Sequence, residues 1–223
     1  MTVTLSDAFA LPLLCSELGI PMAGMELVHS LGPADAALTQ RIGAQRDVFM
    51  GNRVVMLAQF DAVDAALESS QLPVPTRPDS YAQYLEWSNG IIKSLSPVAT
   101  PDTPQGALGG LGRCVGDVLN SLGVRIVVLY LLEVAPAHAK LLAHAEQMAK
   151  SLIELVTRLD GMSRFAGLPE PVKPHAANLA TMARAAVVVD NGTDGSARLA
   201  ALRLAFKQLA DATRDLRAAI PPA

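Results

Sequence analysis

The groups best placed to do chemistry lie in an otherwise apolar stretch, Leu108–Ala135 (LGGLGRCVGDVLNSLGVRIVVLYLLEVA), which carries Arg113, Asp117, Arg125 and Glu133. Arg113 and Asp117 are four residues apart, the spacing that brings opposite charges together on one face of a helix. A charge taken out of water without a partner costs several kcal/mol. Such residues on a buried helix therefore form internal ion pairs, or they line a polar site between helices. The second arrangement would bind a small ligand at Arg113, Asp117 and Arg125, covered by the aromatic segment that carries Tyr81, Tyr84 and Trp87.

Other reactive residue types do not form a constellation. A metal site in a helical bundle takes His and carboxylate three or four residues apart on one face. Glu133 and His138 are five apart, and His144 and Glu146 are two apart. Neither pair shares a helical face, so no metal site and no cofactor are expected. No serine lies in a nucleophile elbow, Cys15 has no basic residue beside it, and Arg113, the neighbour of Cys114, points to a different face of a helix, so no catalytic residue is assigned. Gly109, Gly110, Gly112 and Gly116 follow a proline-rich loop rather than a strand, which fits close helix packing better than a dinucleotide loop. Val187–Gly195 (VVVDNGTDG) resembles the first phosphate-binding loop of the actin-like ATPase superfamily, which implies a turn between two strands around a nucleotide phosphate. A strongly periodic helical segment follows it near the end of the sequence, so the reading adopted is a turn between helices. The same stretch lacks the Glu that a calcium loop needs, having Ala201 there.

The elements that must position these groups read as helices. Leu108–Ala135 is apolar on nearly every side, as a helix wrapped by others must be. Residues 4–18 read as a short helix interrupted near Pro12, and 19–33, with Gly19 and Pro21, as a connection. Pro33 suits the first turn of a long helix reaching about Ser69, in which Ile42, Phe49, Met56 and Val63 recur every seven residues. Gln71–Pro78 (QLPVPTRP) must be an extended loop. Asp79 or Ser80 then caps a helix whose apolar face is Tyr81, Tyr84, Leu85, Ile91, Ile92 and Leu95. A second Pro-rich stretch, Ser96–Gly106, makes 71–106 a proline-flanked lid or insertion.

After Pro136, which suits another helix start, the positions Leu141, Ala145, Met148, Leu152, Leu155, Leu159 and Met162 alternate by three and four, with Ile153 and Val156 beside them. A helix over about 174–189 follows, then a turn at Asp190–Gly195. From Ser196 to Ala219 the seam Leu199, Leu202, Phe206, Leu209, Thr213, Leu216, Ile220 repeats without error. The two seams predict that their helices pack antiparallel on each other or dimerise. The β-branched runs Val124–Leu132, Arg53–Leu57 and Ala185–Val189 leave one alternative, an α/β protein with a small parallel sheet. The adopted fold class is all-α: one multi-helix bundle over 1–223, built around the central apolar helix.

Composition narrows the function. The chain of 223 residues is 51% hydrophobic with a mean hydropathy of +0.31, and that surplus favours a surface for a partner or a membrane. A net charge of −3 argues against nucleic-acid binding. Acidic residues prevail in 1–70, where the first base is Arg41, and basic residues prevail in 140–223. The residues before Cys15 lack a basic start, so no signal peptide is expected, and free thiols fit a reducing, cytoplasmic compartment. Charges inside the most apolar segment argue against a simple membrane span. The leading expectation is a non-enzymatic interaction protein (scaffold, adaptor or accessory subunit). It would act as a homo-oligomer or on a partner helix through the seam Leu199, Leu202, Phe206, Leu209 and Leu216. The alternatives are a helical small-ligand binder or enzyme at the polar site, and a reversible membrane-surface binder, the last weakened by only 4% aromatic residues.

Overall fold

A computed structural model describes residues 3–31, 46–95, 102–192 and 194–222, with the side chains of 29–31 and 46–53 left aside. The described residues form eight helices and no strand: α1 (Leu5–Glu17), α2 (Gly19–Leu31), α3 (Arg46–Ser69), α4 (Tyr81–Leu95), α5 (Pro104–Val134), α6 (Ala139–Ser163), α7 (Lys173–Gly192) and α8 (Gly195–Ala218). The fold is an all-α bundle, and the parallel-sheet alternative is ruled out. Val124–Leu132, Arg53–Leu57 and Ala185–Val189 all lie inside helices. Val124 and Val128 are buried against other helices, while Val54, Val55 and Val188 face outward; position within a long helix overrides the modest strand preference of Val and Ile.

The central element is α5. Thr103 caps it by accepting a hydrogen bond from the Gly106 amide (3.1 Å), and Pro104 occupies the first turn, where its missing N–H leaves no gap. Leu108, Leu111, Leu119, Leu122 and Val128 are all fully buried. The preceding chain lies along it in parallel. A Cβ on Gly109 would meet Ala8, one on Gly112 would meet Phe9, and one on Gly116 would meet Leu13 and Ser16. Further along, Asn120 meets Gly19, Gly123 meets Ile20, and Val127 meets Gly24. These α5 positions step by three and four, so a seam of mostly small residues lets two backbones approach over about five turns. The closest point is Gly112, where an added Cβ would stand 2.2 Å from the Phe9 carbonyl oxygen.

Helix α1 is apolar on opposite faces because it is shared by two cores. Phe9 and Leu13 enter the main core with α5, Leu152, Val156 and Leu159 of α6, Leu179 and Ala183 of α7, and Leu202, Leu209 and Leu216 of α8. Leu11, Cys15 and Leu18 enter a second core with Phe60, Val63 and Leu67 of α3 and Tyr84, Trp87, Ile91 and Leu95 of α4. Leu5–Val28 and Pro104–Val134 are each long and apolar enough to cross a membrane, and most of each is buried within the chain.

Several local expectations are corrected. Residues 19–31 are helical, not a connection, because Pro21 falls in the first turn of α2 and removes no helical hydrogen bond. Pro12 is buried inside α1, which continues through it. Helix α7 runs through Asp190 to Gly192, so Val187–Gly192 is not a strand-turn-strand loop. The left-handed turn falls at Gly195, with φ +56°. Pro136 lies in the turn before α6 rather than in its first turn. On α4, Trp87 takes the buried position and Leu85 is exposed, while Ile153 of α6 also faces outward. Other expectations hold: α3 ends at Ser69, and 72–78 is without regular structure. Pro33, Ile42 and Gly43 lie outside the described residues, as does the Phe49 side chain.

Candidate functional site

A cleft of about 570 Å³ opens between α2, α5 and α6, with Tyr81 of α4 at its edge. Helix α5 contributes Asp117, Asn120, Ser121 and Val124, which the helical repeat puts on one face. Helix α6 runs antiparallel to α5: Met162 lies by Gly110, Arg158 by Asp117, and the Ala145 carbonyl by Arg125. Its cleft-lining face is Lys140, His144, Gln147, Met148, Ser151 and Leu155, and α2 supplies Ala23, Glu26 and Leu27. Three zones follow from these directions. Asp117, Asn120, Ser121 and Ser151, with Leu155, form a mostly polar end, Ala23, Leu27, Val124 and Met148, with Gln147, a mostly apolar middle, and Glu26, Lys140 and His144 a charged mouth.

Asp117 is the most constrained group of the polar end. Its Oδ1 accepts a hydrogen bond from the Ser16 hydroxyl at 3.1 Å, while Oδ2 lies 3.9 Å from Arg113 and 4.0 Å from Arg158. Burial raises its carboxyl above the ordinary range, and the Ser16 bond and the two guanidinium groups offset this only in part. Ser121, one helical turn further on, is buried and its Oγ has no hydrogen-bond partner among the described residues. Gly19 is what admits Asn120, since a Cβ there would stand 2.3 Å from the Asn120 amide nitrogen and 2.8 Å from the Tyr84 hydroxyl.

The expected ligand residues are not brought together. Asp117 lines the cleft and half-exposed Arg113 stands behind it. Arg125 points elsewhere: its Nε donates to Asp190 Oδ2 at 2.5 Å and its Nη1 donates to the Ala145 carbonyl. This buried pair ties α5, α6 and α7 together and draws the end of α7 inward. Tyr84 is in the second core, donating from its hydroxyl to the Cys15 carbonyl at 2.7 Å. Trp87 packs edge-on against Phe60, with ring centroids 5.3 Å apart. Tyr81, stacked on Tyr84 at 5.6 Å, is the aromatic side chain that reaches the cleft.

The seam of α8 is likewise placed. Leu199, Leu202, Leu209 and Leu216 are buried inside the chain and Phe206 is half-buried. They face α7 and α5, and the α6 seam faces α5 and α7, so the two seams do not meet as their matching repeats suggested. No protein family, no curated protein and no solved structure matches this chain. Functional reading therefore rests on the site itself.

Sequence reasoning missed Asn120, Ser121, Lys140 and His144 as site residues, and named Tyr81 only as part of the covering segment. Asn120 and Ser121 follow Asp117 at the next helical turn, and that polar patch on an apolar helix was the available signal. Nothing local tied it to α6.

Proposed function

We propose that the chain is a helical binding protein whose cleft between α2, α5 and α6 takes a small amphipathic ligand. The observation that carries this reading is Ser121: a buried hydroxyl without a partner, on the wall of a cleft of ligand size, beside a desolvated carboxyl. Most buried polar groups in folded proteins are satisfied, and each exception asks for what satisfies it. A cleft of this volume with an apolar middle and a few converging polar groups has the make-up of small-molecule sites. The test is a ligand screen by thermal shift on the parent and on Ser151→Phe, which places a ring in the cleft from its half-buried wall. Shifts seen with the parent and abolished in a folded Ser151→Phe variant support the reading. An absence of shifts, or shifts that survive the substitution, would defeat it.

A second reading, a contact with a protein partner or a second copy, is favoured by a different observation. Val54 and Val55 on α3 are 69% and 56% exposed, with Leu57 beside them. Light scattering at two protein concentrations tests it: a Val54→Ser/Val55→Ser variant should lower the mass of any assembly, and a monomeric parent counts against self-association.

A further inference from the structure

The three zones of the cleft specify a ligand class, given that the cleft is a ligand site as proposed above. We infer that the ligand is a slender chain with a polar group at each end: a hydrogen-bond-donating head, amino or hydroxyl, at Asp117 and Ser121, and an anionic group at Lys140 and His144.

The polar end holds acceptors. Asp117 offers carboxylate oxygens and Asn120 a side-chain amide, and the Ser121 hydroxyl, buried and without a partner among the described residues, accepts or donates once its side chain turns toward the cleft. A hydrogen bond to a charged partner there is worth more than one between neutral groups, because the surroundings are desolvated. An anionic head at that end would meet Asp117, the charged group of the cleft lining there; Arg113 and Arg158, 3.9 and 4.0 Å from its Oδ2, lie outside the lining and offset its charge only in part. At the mouth the balance is reversed. Lys140 and His144 stand one turn apart on α6, and neither has an ion-pair partner among the described residues. Glu26, on the facing α2 wall, is the acid opposite them, so two basic side chains meet one acidic one. An anionic group that sits on the α6 side finds donors unused by the protein.

The apolar middle sets the spacer. Val124, Ala23, Leu27 and Met148 give it hydrocarbon to lie against, and removing that hydrocarbon from water is the non-directional part of the affinity. Lys140 and Ser151 are eleven residues apart on one helix, which spans about 16 Å along the axis. A saturated chain the length of dodecanoate covers this distance. A single-headed chain of the same length would satisfy one end and leave the other bare.

The experiment is calorimetric titration of the whole protein with three probes below their micelle concentrations: ω-aminododecanoate, dodecanoate and dodecylamine. The expected order has ω-aminododecanoate at least tenfold tighter than either single-headed chain. Lys140→Glu, an exposed substitution that leaves the core untouched, should remove the advantage over dodecylamine, while Ser121→Ala should reduce the advantage over dodecanoate. Equal affinity for all three chains, or an unchanged order in Lys140→Glu, would overturn the inference. If no chain binds, yet the ligand screen gives hits lost in Ser151→Phe, the ligand class is wrong and the cleft remains a binding site. If the chains bind Ser151→Phe as well as the parent, both conclusions fall.

Discussion

Replacing Gly112 by Ala tests how α1 is held on the central helix. Ala is the better helix former by about 1 kcal/mol in a helix interior, so propensity alone makes this substitution stabilising. The added Cβ would stand 2.2 Å from the carbonyl oxygen of Phe9 and 3.0 Å from its carbonyl carbon, and both are backbone atoms. A side chain could rotate away, but here α1 itself must retreat by about 1 Å, which forfeits a quarter to a half of each close contact it makes. Phe9 and Leu13 lie on that face in the main core. Overpacking of this kind costs about 1–3 kcal/mol, with contact against backbone at the upper end, so the net loss after the propensity gain is about 2 kcal/mol. Gly90 supplies the control, since it is helical in α4 and a Cβ there meets nothing within 4 Å. Gly90→Ala should therefore stabilise by about 0.5–1 kcal/mol. Urea denaturation measures both, with the slope checked for constancy so that a midpoint change reads as stability. Opposite signs for the two variants are expected. Gly112→Ala as stable as the parent would refute the close parallel packing of α1 on α5.

Arg125→Met leaves Asp190 buried without its partner and should cost about 3–5 kcal/mol, whereas Arg125→Met/Asp190→Leu should recover most of that loss; a denaturant double-mutant cycle checks it. Both cysteines are free and buried, and burial pushes the Cys15 thiol up to about 12, so a thiol reagent at pH 8 should label the native protein slowly and the urea-unfolded protein at once. Burial also raises the carboxyls of Asp117 and Glu17 above their ordinary 3.8 and 4.5, the latter despite Arg217. The native state then binds more protons than the unfolded chain in that window, so stability falls as pH rises through it, and Glu17→Gln/Asp117→Asn should flatten this part of the stability-pH curve.

The bundle was legible where a single helix carries its own signal. A segment apolar all round has to be wrapped, and α5 is; the stepped leucines of α8 are buried as a bundle helix requires. What misled were residues whose meaning depends on position within an element not yet located. Pro21 signals a break inside a helix and is harmless in the first turn of α2. Asp190-Asn191-Gly192 has turn chemistry, yet Arg125, distant in sequence, draws Asp190 into the interior and the helix continues. Trp87 was expected at the polar site as part of the segment covering it, but Phe60 offers it an apolar partner in the second core. The cleft was half visible. Asp117 stood out as a charge on a buried helix, while Lys140, His144 and Tyr81 reach it only through the antiparallel return of α6 and the seating of α4.

The most direct test of the cleft as the binding site is methyl NMR, with Ala, Ile, Leu, Val and Met methyl groups labelled and a ligand from the thermal-shift screen titrated in. Shifts should concentrate on Ala23, Leu27, Val124, Met148 and Leu155, with Trp87's neighbour Ile91 and exposed Val54 unmoved. Shifts centred on α3 or α4 instead, or none at saturating ligand, would contradict the account.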